Sequence, residues 1–140
     1  MKASRLGLAL AFAALSCATP ELPAGLESRD WFLVAIGSDT NVAATQAERP
    51  TLRLEAARAA GFAGCNSFAG SYTVDGEAIH FGPTASTKMF CEKTQPIEDK
   101  YLASLERVNR WSVNGDELVL SRDGDPVLRF KEMTPTRRTS

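Results

Sequence analysis

Histidine, cysteine and any excess of one charge are scarce in this 140-residue sequence, and each shortage closes off a class of function. His80 is the only histidine, and there are three cysteines. A zinc site needs three or four ligands at paired spacings, and these residues do not supply them. Lys and Arg total 16 against 17 Asp and Glu, a formal net charge of −1. Nucleic-acid binding calls for a clustered basic face, and nothing here signals one. No apolar run reaches the roughly 20 residues of a spanning helix. No GKS or GKT run follows the glycines at 61, 64 and 70, so a phosphate-cradling loop is not indicated. Those glycines read instead as a bulge or sharp bend between strands. No metal and no cofactor is expected.

What is present begins with an address. Met1-Lys2-Ala3-Ser4-Arg5 is a short basic start, followed by an uncharged apolar run from Leu6 to Leu15 and then Ser16-Cys17. This order is that of a secretory signal peptide. Cys17 after the run reads as a lipobox, which expects cleavage after residue 16 and a diacylglyceryl group on Cys17. Ala14 departs from the usual Leu of that motif. The rival reading is ordinary secretory cleavage after Ala18, giving a soluble periplasmic protein. With two or more acyl chains the anchoring would be stable, at about 0.8 kcal/mol per buried CH₂. Without residues 1–16 the chain has 124 residues, enough for one domain with a real core.

Residues 17–29 hold Pro20, Pro23 and Gly25 and read as a tether. The domain is expected over residues 30–131, with residues 132–140 a disordered tail. Asp30 to Ile36 is apolar on both faces and predicts a buried strand. Gly37 to Pro50 reads as a polar loop. Thr51 to Ala56 alternates, with Leu52, Leu54 and Ala56 on one face. Arg58 to Ala63 is expected to run back as a strand. Tyr72-Thr73-Val74-Asp75-Gly76 and Trp111-Ser112-Val113-Asn114-Gly115 open two hairpins of one design, and both predict type I′ turns. Asp123-Gly124 makes another turn before a last strand. One helix is predicted from Ile97, Tyr101, Leu105 and Val108, which share a face that Leu102 widens. Pro96 suits its first turn, Thr94 or Gln95 could cap it, and Glu98 falls largely off the stripe.

The candidate chemistry is thin. In an exported chain with Cys17 lipidated, Cys65 and Cys91 are left as a pair and read as a disulfide. The alternative is two free buried thiols. Closing that loop would stabilise the fold by roughly 3.5 kcal/mol. A thiol enzyme would need Cys65 or Cys91 reduced, with a lowered pKa, beside His80. His80 alternates with Ile79 and Phe81, so it should face solvent instead. Ser86-Thr87-Lys88 with Asn66 could form a small polar site in which Lys88 binds an anion. The plainer reading has Asn66 and the hydroxyls satisfying backbone groups in a turn beside the disulfide.

Gly64-Cys65-Asn66, Gly70-Ser71-Tyr72 and Ala85-Ser86-Thr87-Lys88-Met89-x-Cys91 together resemble the META-domain family. Trp31-x-Leu33, Tyr101-Leu102-x-x-Leu105 and the Gly115-Asp116-x-Leu118-x-Leu120 hairpin follow in the family's order. The resemblance covers roughly Trp31 to Phe130, and Lys88 stands where many members have Arg. It implies a mainly β, α+β fold: a small antiparallel, barrel-like sheet of hairpins with one packed helix. It also implies a cell-envelope location, here an outer-membrane lipoprotein facing the periplasm, and a link to stress tolerance. It implies no reaction. The expectation is therefore a non-enzymatic envelope protein that binds a protein partner or a small apolar molecule, with Asn66, Ser71, Tyr72, Ser86, Thr87, Lys88 and Met89 as motif residues. The alternatives are a thiol-dependent enzyme and a purely structural envelope protein.

Overall fold

Strict alternation along β1 (Asp30–Ile36) puts Trp31, Leu33 and Ala35 inside, while Phe32, Val34 and Ile36 are only half-buried. The computed structural model describes residues 25–134, with the single positions Gly7, Ala9 and Ala11. Cys17, most of the leader and tether, and residues 135–140 lie outside the described residues. β2 (Thr51–Glu55), β3 (Arg58–Phe62), β4 (Ser67–Asp75) and β5 (Ala78–Phe81) follow, then the two-residue β6 (Ala85–Ser86). The helix α1 (Gln95–Arg107) precedes β7 (Arg110–Asn114), β8 (Glu117–Arg122) and β9 (Asp125–Glu132).

All the pairings are antiparallel, and they close on themselves. β3 pairs with β4 from Arg58↔Ser71 to Phe62↔Ser67, and β9 returns to β1 from Trp31↔Glu132 to Ile36↔Leu128. Eight strands thus form a closed barrel, as expected of the fold. β6 continues the line of β5 along β4, after an offset of one residue across Gly82–Thr84. The narrowest seam is β5 to β7, with the single pair Ala78↔Arg110. α1 packs against β5, β9 and β1.

The interior is filled by side chains. Trp31, Leu33, Leu52, Leu54, Ile79 and Phe130 are fully buried, joined from the helix by Tyr101 and Leu105. Tyr101 meets Phe68 and Phe130 edge-on, at centroid distances of 5.7 and 6.1 Å. Its hydroxyl donates to the Thr51 carbonyl at 2.8 Å, so the one polar atom of the ring is satisfied. Burial holds the Tyr101 phenol well above its usual pKa. Gly61 lies against the same carbonyl: a Cβ there would come within 2.2 Å of the Thr51 oxygen, so only glycine permits this crossing.

The turns differ from the sequence expectation in an informative way. In the β4–β5 and β7–β8 hairpins only the first loop residue, Gly76 or Gly115, has positive φ (58° and 63°). That is the type II′ pattern, because each register counts the Asp or Asn as the last strand residue and leaves Gly first in the loop. Type I′ turns occur at Asp123-Gly124 (50°, 90°) and at Ala56-Ala57 (49°, 64°). Ala56 therefore leaves the β2 face and is exposed in a turn. The Gly37–Pro50 loop contains a single 3₁₀ turn, Gln46–Glu48, and buries Val42. Leu26, upstream of β1, is also fully buried, and its carbonyl accepts from the Trp31 indole at 3.2 Å.

Candidate functional site

Positive φ at Gly64 (117°) and the bond from the Ala63 N–H to the Asn66 carbonyl (2.8 Å) make the β3–β4 connection tight. This turn drives the Asn66 side chain inward, between the segment after β6 and the first turn of α1. Asn66 is 3% exposed, and so is Glu98, which faces it from the helix. The Asn66 amide nitrogen donates to the Met89 carbonyl and to Glu98 Oε2, each at 2.9 Å. Its amide oxygen accepts from the Thr87 hydroxyl at 2.9 Å and the Met89 N–H at 2.7 Å. Its backbone N–H donates to Glu98 Oε1 at 2.7 Å. Both donor hydrogens and both acceptor lone pairs of the amide are thus used within the chain.

The neighbours complete this network. The Thr87 hydroxyl also accepts from the Ser67 N–H at 3.2 Å, and the Thr87 N–H donates to the Ser67 carbonyl at 3.1 Å. Gln95 donates to Glu98 Oε2 at 3.2 Å and to Asp99 at 2.9 Å. Glu98 is in the first helical turn, where the helix dipole favours a carboxylate. Cys65 and Cys91 are joined by a disulfide, with their Cα atoms 5.8 Å apart. Segment 87–91 is therefore fastened by Thr87, Met89 and Cys91, all to residues 65–67. Between these fastenings Lys88, Met89 and Phe90 point outward, with Met89 61% and Phe90 79% exposed.

The motif residues divide. Asn66, Ser86, Thr87, Lys88 and Met89 surround one shallow hollow with Glu98 and Leu102. Ser71 and Tyr72 are not part of it. Ser71 is exposed on β4 opposite Arg58. Tyr72 points into the core beside Phe81, and its hydroxyl donates to the Glu27 carboxylate. Burial, with that carboxylate as the second cause, pushes the Tyr72 phenol up. His80 is exposed and pairs across from Thr73, while the sulfurs of Cys65 and Cys91 are bonded to each other. No Cys-His dyad is formed between them. Among the described residues no cluster of His, Cys, Asp and Glu has the arrangement of a metal site.

Two important residues were not singled out from sequence. Glu98 reads as off the apolar stripe, yet it is buried. The signal was its spacing: Tyr101 and Leu102 follow it at i+3 and i+4, which puts it at the edge of the buried face. Arg29 reads as tether. It lies over the Trp31 ring at 4.5 Å, donates to the Gly25 and Gly115 carbonyls, and pairs with Glu132. That hydrogen bond raises the Arg29 pKa and lowers that of Glu132.

No curated protein sequence matches the chain. Among solved structures it is similar to a protein from Burkholderia xenovorans determined by NMR, at 29% identity and a TM-score of 0.65. That match covers 78% of this chain and 84% of the other. The fold is also that of a DUF4847 family protein from Bacteroides vulgatus, at 12% identity and a TM-score of 0.58, covering 76% and 93%. The META domain family profile matches residues 24–134, a span that contains the whole barrel, the helix and the Asn66 network. On that match the chain belongs to the META domain family.

Proposed function

We propose that this META-domain protein is a non-enzymatic lipoprotein of the cell envelope, held to the membrane through Cys17, which supports stress tolerance by binding a protein partner. The basic start, the apolar run and Ser16-Cys17 support the address. The observation that carries the binding reading is the fastened segment 87–91. Its backbone is bound by Asn66 and the disulfide, while its two large apolar side chains are left in solvent. Apolar side chains on an already ordered backbone lose little further entropy on docking, which favours recognition. The residues around them are engaged with one another: the Asn66 amide is saturated and both sulfurs are bonded. The barrel interior is occupied by Trp31, Tyr101 and Phe130, so a partner would bind outside it.

Complementation of a deletion strain under envelope stress tests this. Met89→Ser with Phe90→Ser should leave the thermal midpoint unchanged and abolish rescue. Cys17→Ala should move the protein from the detergent phase to the aqueous phase and reduce rescue. Full rescue by the Met89→Ser, Phe90→Ser chain would sink the binding reading.

A further inference from the structure

β6 pairs with β4 at Phe68↔Ser86 and Ala69↔Ala85, and the Thr87 N–H continues the ladder to the Ser67 carbonyl at 3.1 Å. β4 begins at Ser67, and the Asn66 backbone is already bonded to Ala63 and Glu98. The Asn66 side chain takes its place. Its amide accepts from the Met89 N–H at 2.7 Å and donates to the Met89 carbonyl at 2.9 Å, as a strand residue would. Ala85, Thr87 and Met89 thus bond inward, and the short β6 is lengthened through residues 85–89.

In an antiparallel ladder the residues between the bonded ones turn their N–H and C=O groups the other way. Here those residues are Ser86 and Lys88. Among the described residues no backbone group bonds theirs. Both line a hollow of about 320 Å³, and Gln95, Asp99 and Leu102 of α1 line it with them. Proteins normally cover or shorten an open strand edge. This one is instead extended by Asn66 and fastened at Cys91 by the disulfide.

Such an edge selects its ligand by spacing. An N–H and a C=O presented at every second residue match an extended polypeptide backbone. From this we infer that a segment of the partner protein adds to β6 as a further strand, in the hollow between β6 and α1. The inference deepens the reading of a protein partner and rests on it. The edge runs directly into the Met89–Phe90 tip, so one bound segment would meet both. An apolar side chain of the segment would lie on Leu102. A basic one would meet Asp99, which is exposed and accepts only from Gln95.

The test uses the mature, oxidised protein and a short acetylated, amidated peptide of alternating lysine and valine, followed by ¹⁵N–¹H NMR. The same peptide N-methylated at every backbone nitrogen keeps the charges and side chains and loses the donors. The unmethylated peptide should give saturable shifts at Ser86, Lys88 and Leu102. It should slow amide exchange at Ser86 and Lys88 about tenfold or more, while Thr87 and Met89, already bonded, keep their rates. The methylated peptide should bind about tenfold more weakly or worse, the scale of one or two lost hydrogen bonds. Ser86→Pro removes an outward N–H and leaves the β4 pairing, so it should abolish binding with little change in thermal midpoint. Lys88→Pro gives the same reading where Ser86→Pro perturbs folding. Shifts that do not saturate, unchanged exchange at Ser86 and Lys88, equal binding of the methylated peptide, or undiminished binding by a folded Ser86→Pro chain would overturn strand addition. In the complementation assay Ser86→Pro should fail to rescue. Full rescue by that chain, with Met89→Ser, Phe90→Ser still failing, would overturn the strand edge and leave the tip reading standing. Failure of the tip reading shows separately, as rescue by the Met89→Ser, Phe90→Ser chain.

Discussion

Asn66 and Glu98, 32 positions apart, are joined by two hydrogen bonds, at 2.7 Å from the Asn66 backbone and 2.9 Å from its side chain. One end of the β3–β4 connection is thereby locked to the first turn of the helix, and the same amide holds Met89. Removal of either partner leaves a buried polar group unpaired, which costs more than the bond itself contributes.

A double-mutant cycle measures this link. Asn66→Ala should destabilise the domain by about 2–4 kcal/mol, because it removes one donor from the Glu98 carboxylate and leaves the Met89 N–H and carbonyl without their side-chain partner. Glu98→Ala should cost a similar amount. The double variant should lose clearly less than the sum, with a coupling of about 1–3 kcal/mol from urea unfolding. Additive losses would show that the two side chains act separately.

The disulfide spans 26 positions and ties the same two segments. Replacement of Cys65 and Cys91 by Ala should lower stability by about 2–5 kcal/mol while the β-sheet signal in circular dichroism persists. Non-reducing peptide mapping of native material should recover one 65–91 linked peptide and no alkylatable thiol at either position.

Ala56 and Ala57 both hold left-handed backbone without the residues that favour it. An L side chain there costs roughly 1–2 kcal/mol relative to Gly, part of which Gly returns as chain entropy. Ala57→Gly, alone or with Ala56→Asn, should therefore raise stability by about 1 kcal/mol, read as a higher urea midpoint with an unchanged slope. A lower midpoint would mean that the turn is not of the I′ type.

Glu132 provides a pH test. The hydrogen bond from Arg29 lowers its pKa from the ordinary 4.5. A carboxyl depressed in the folded state stabilises the fold fully above its unfolded value, and that contribution is lost as pH falls through the folded value. Between about pH 5 and pH 3 the wild-type thermal midpoint should fall more steeply than that of Arg29→Gln. Parallel curves would remove the ion pair from the acid response. The pair is partly exposed, so salt should reduce the difference.

Much of this fold is legible in the sequence where the rule is local. An unbroken apolar run marks β1, alternation marks β2, glycine after Asp or Asn marks the two hairpins, and the Ile97–Tyr101–Leu105 spacing marks the helix. The fold class and the family are legible by the same route, because the motif fragments occur in order. What was hidden depends on contacts distant in sequence. Ala56 continues the β2 alternation, and only the register of β2 on β3 turns it into a loop residue. Leu26 is one apolar residue among prolines and glycines, and its burial follows from the Trp31 indole bonding its carbonyl. The burial of Glu98 makes sense only once Asn66 is opposite. Asn66 and Thr87 were readable as turn-satisfying groups, and the structure uses them so, whereas Ser71 and Tyr72 belong to the sheet and the core.

The fastening of segment 87–91 is tested most directly by amide hydrogen exchange at Met89 in the oxidised protein. The account predicts that the Met89 N–H, bonded to the Asn66 amide oxygen, exchanges as slowly as barrel-strand amides, and that Asn66→Ala brings it to the rate of an open loop. Fast exchange at Met89 in the wild-type protein would contradict the account, because the Met89–Phe90 tip would then be a loose loop and not an ordered surface.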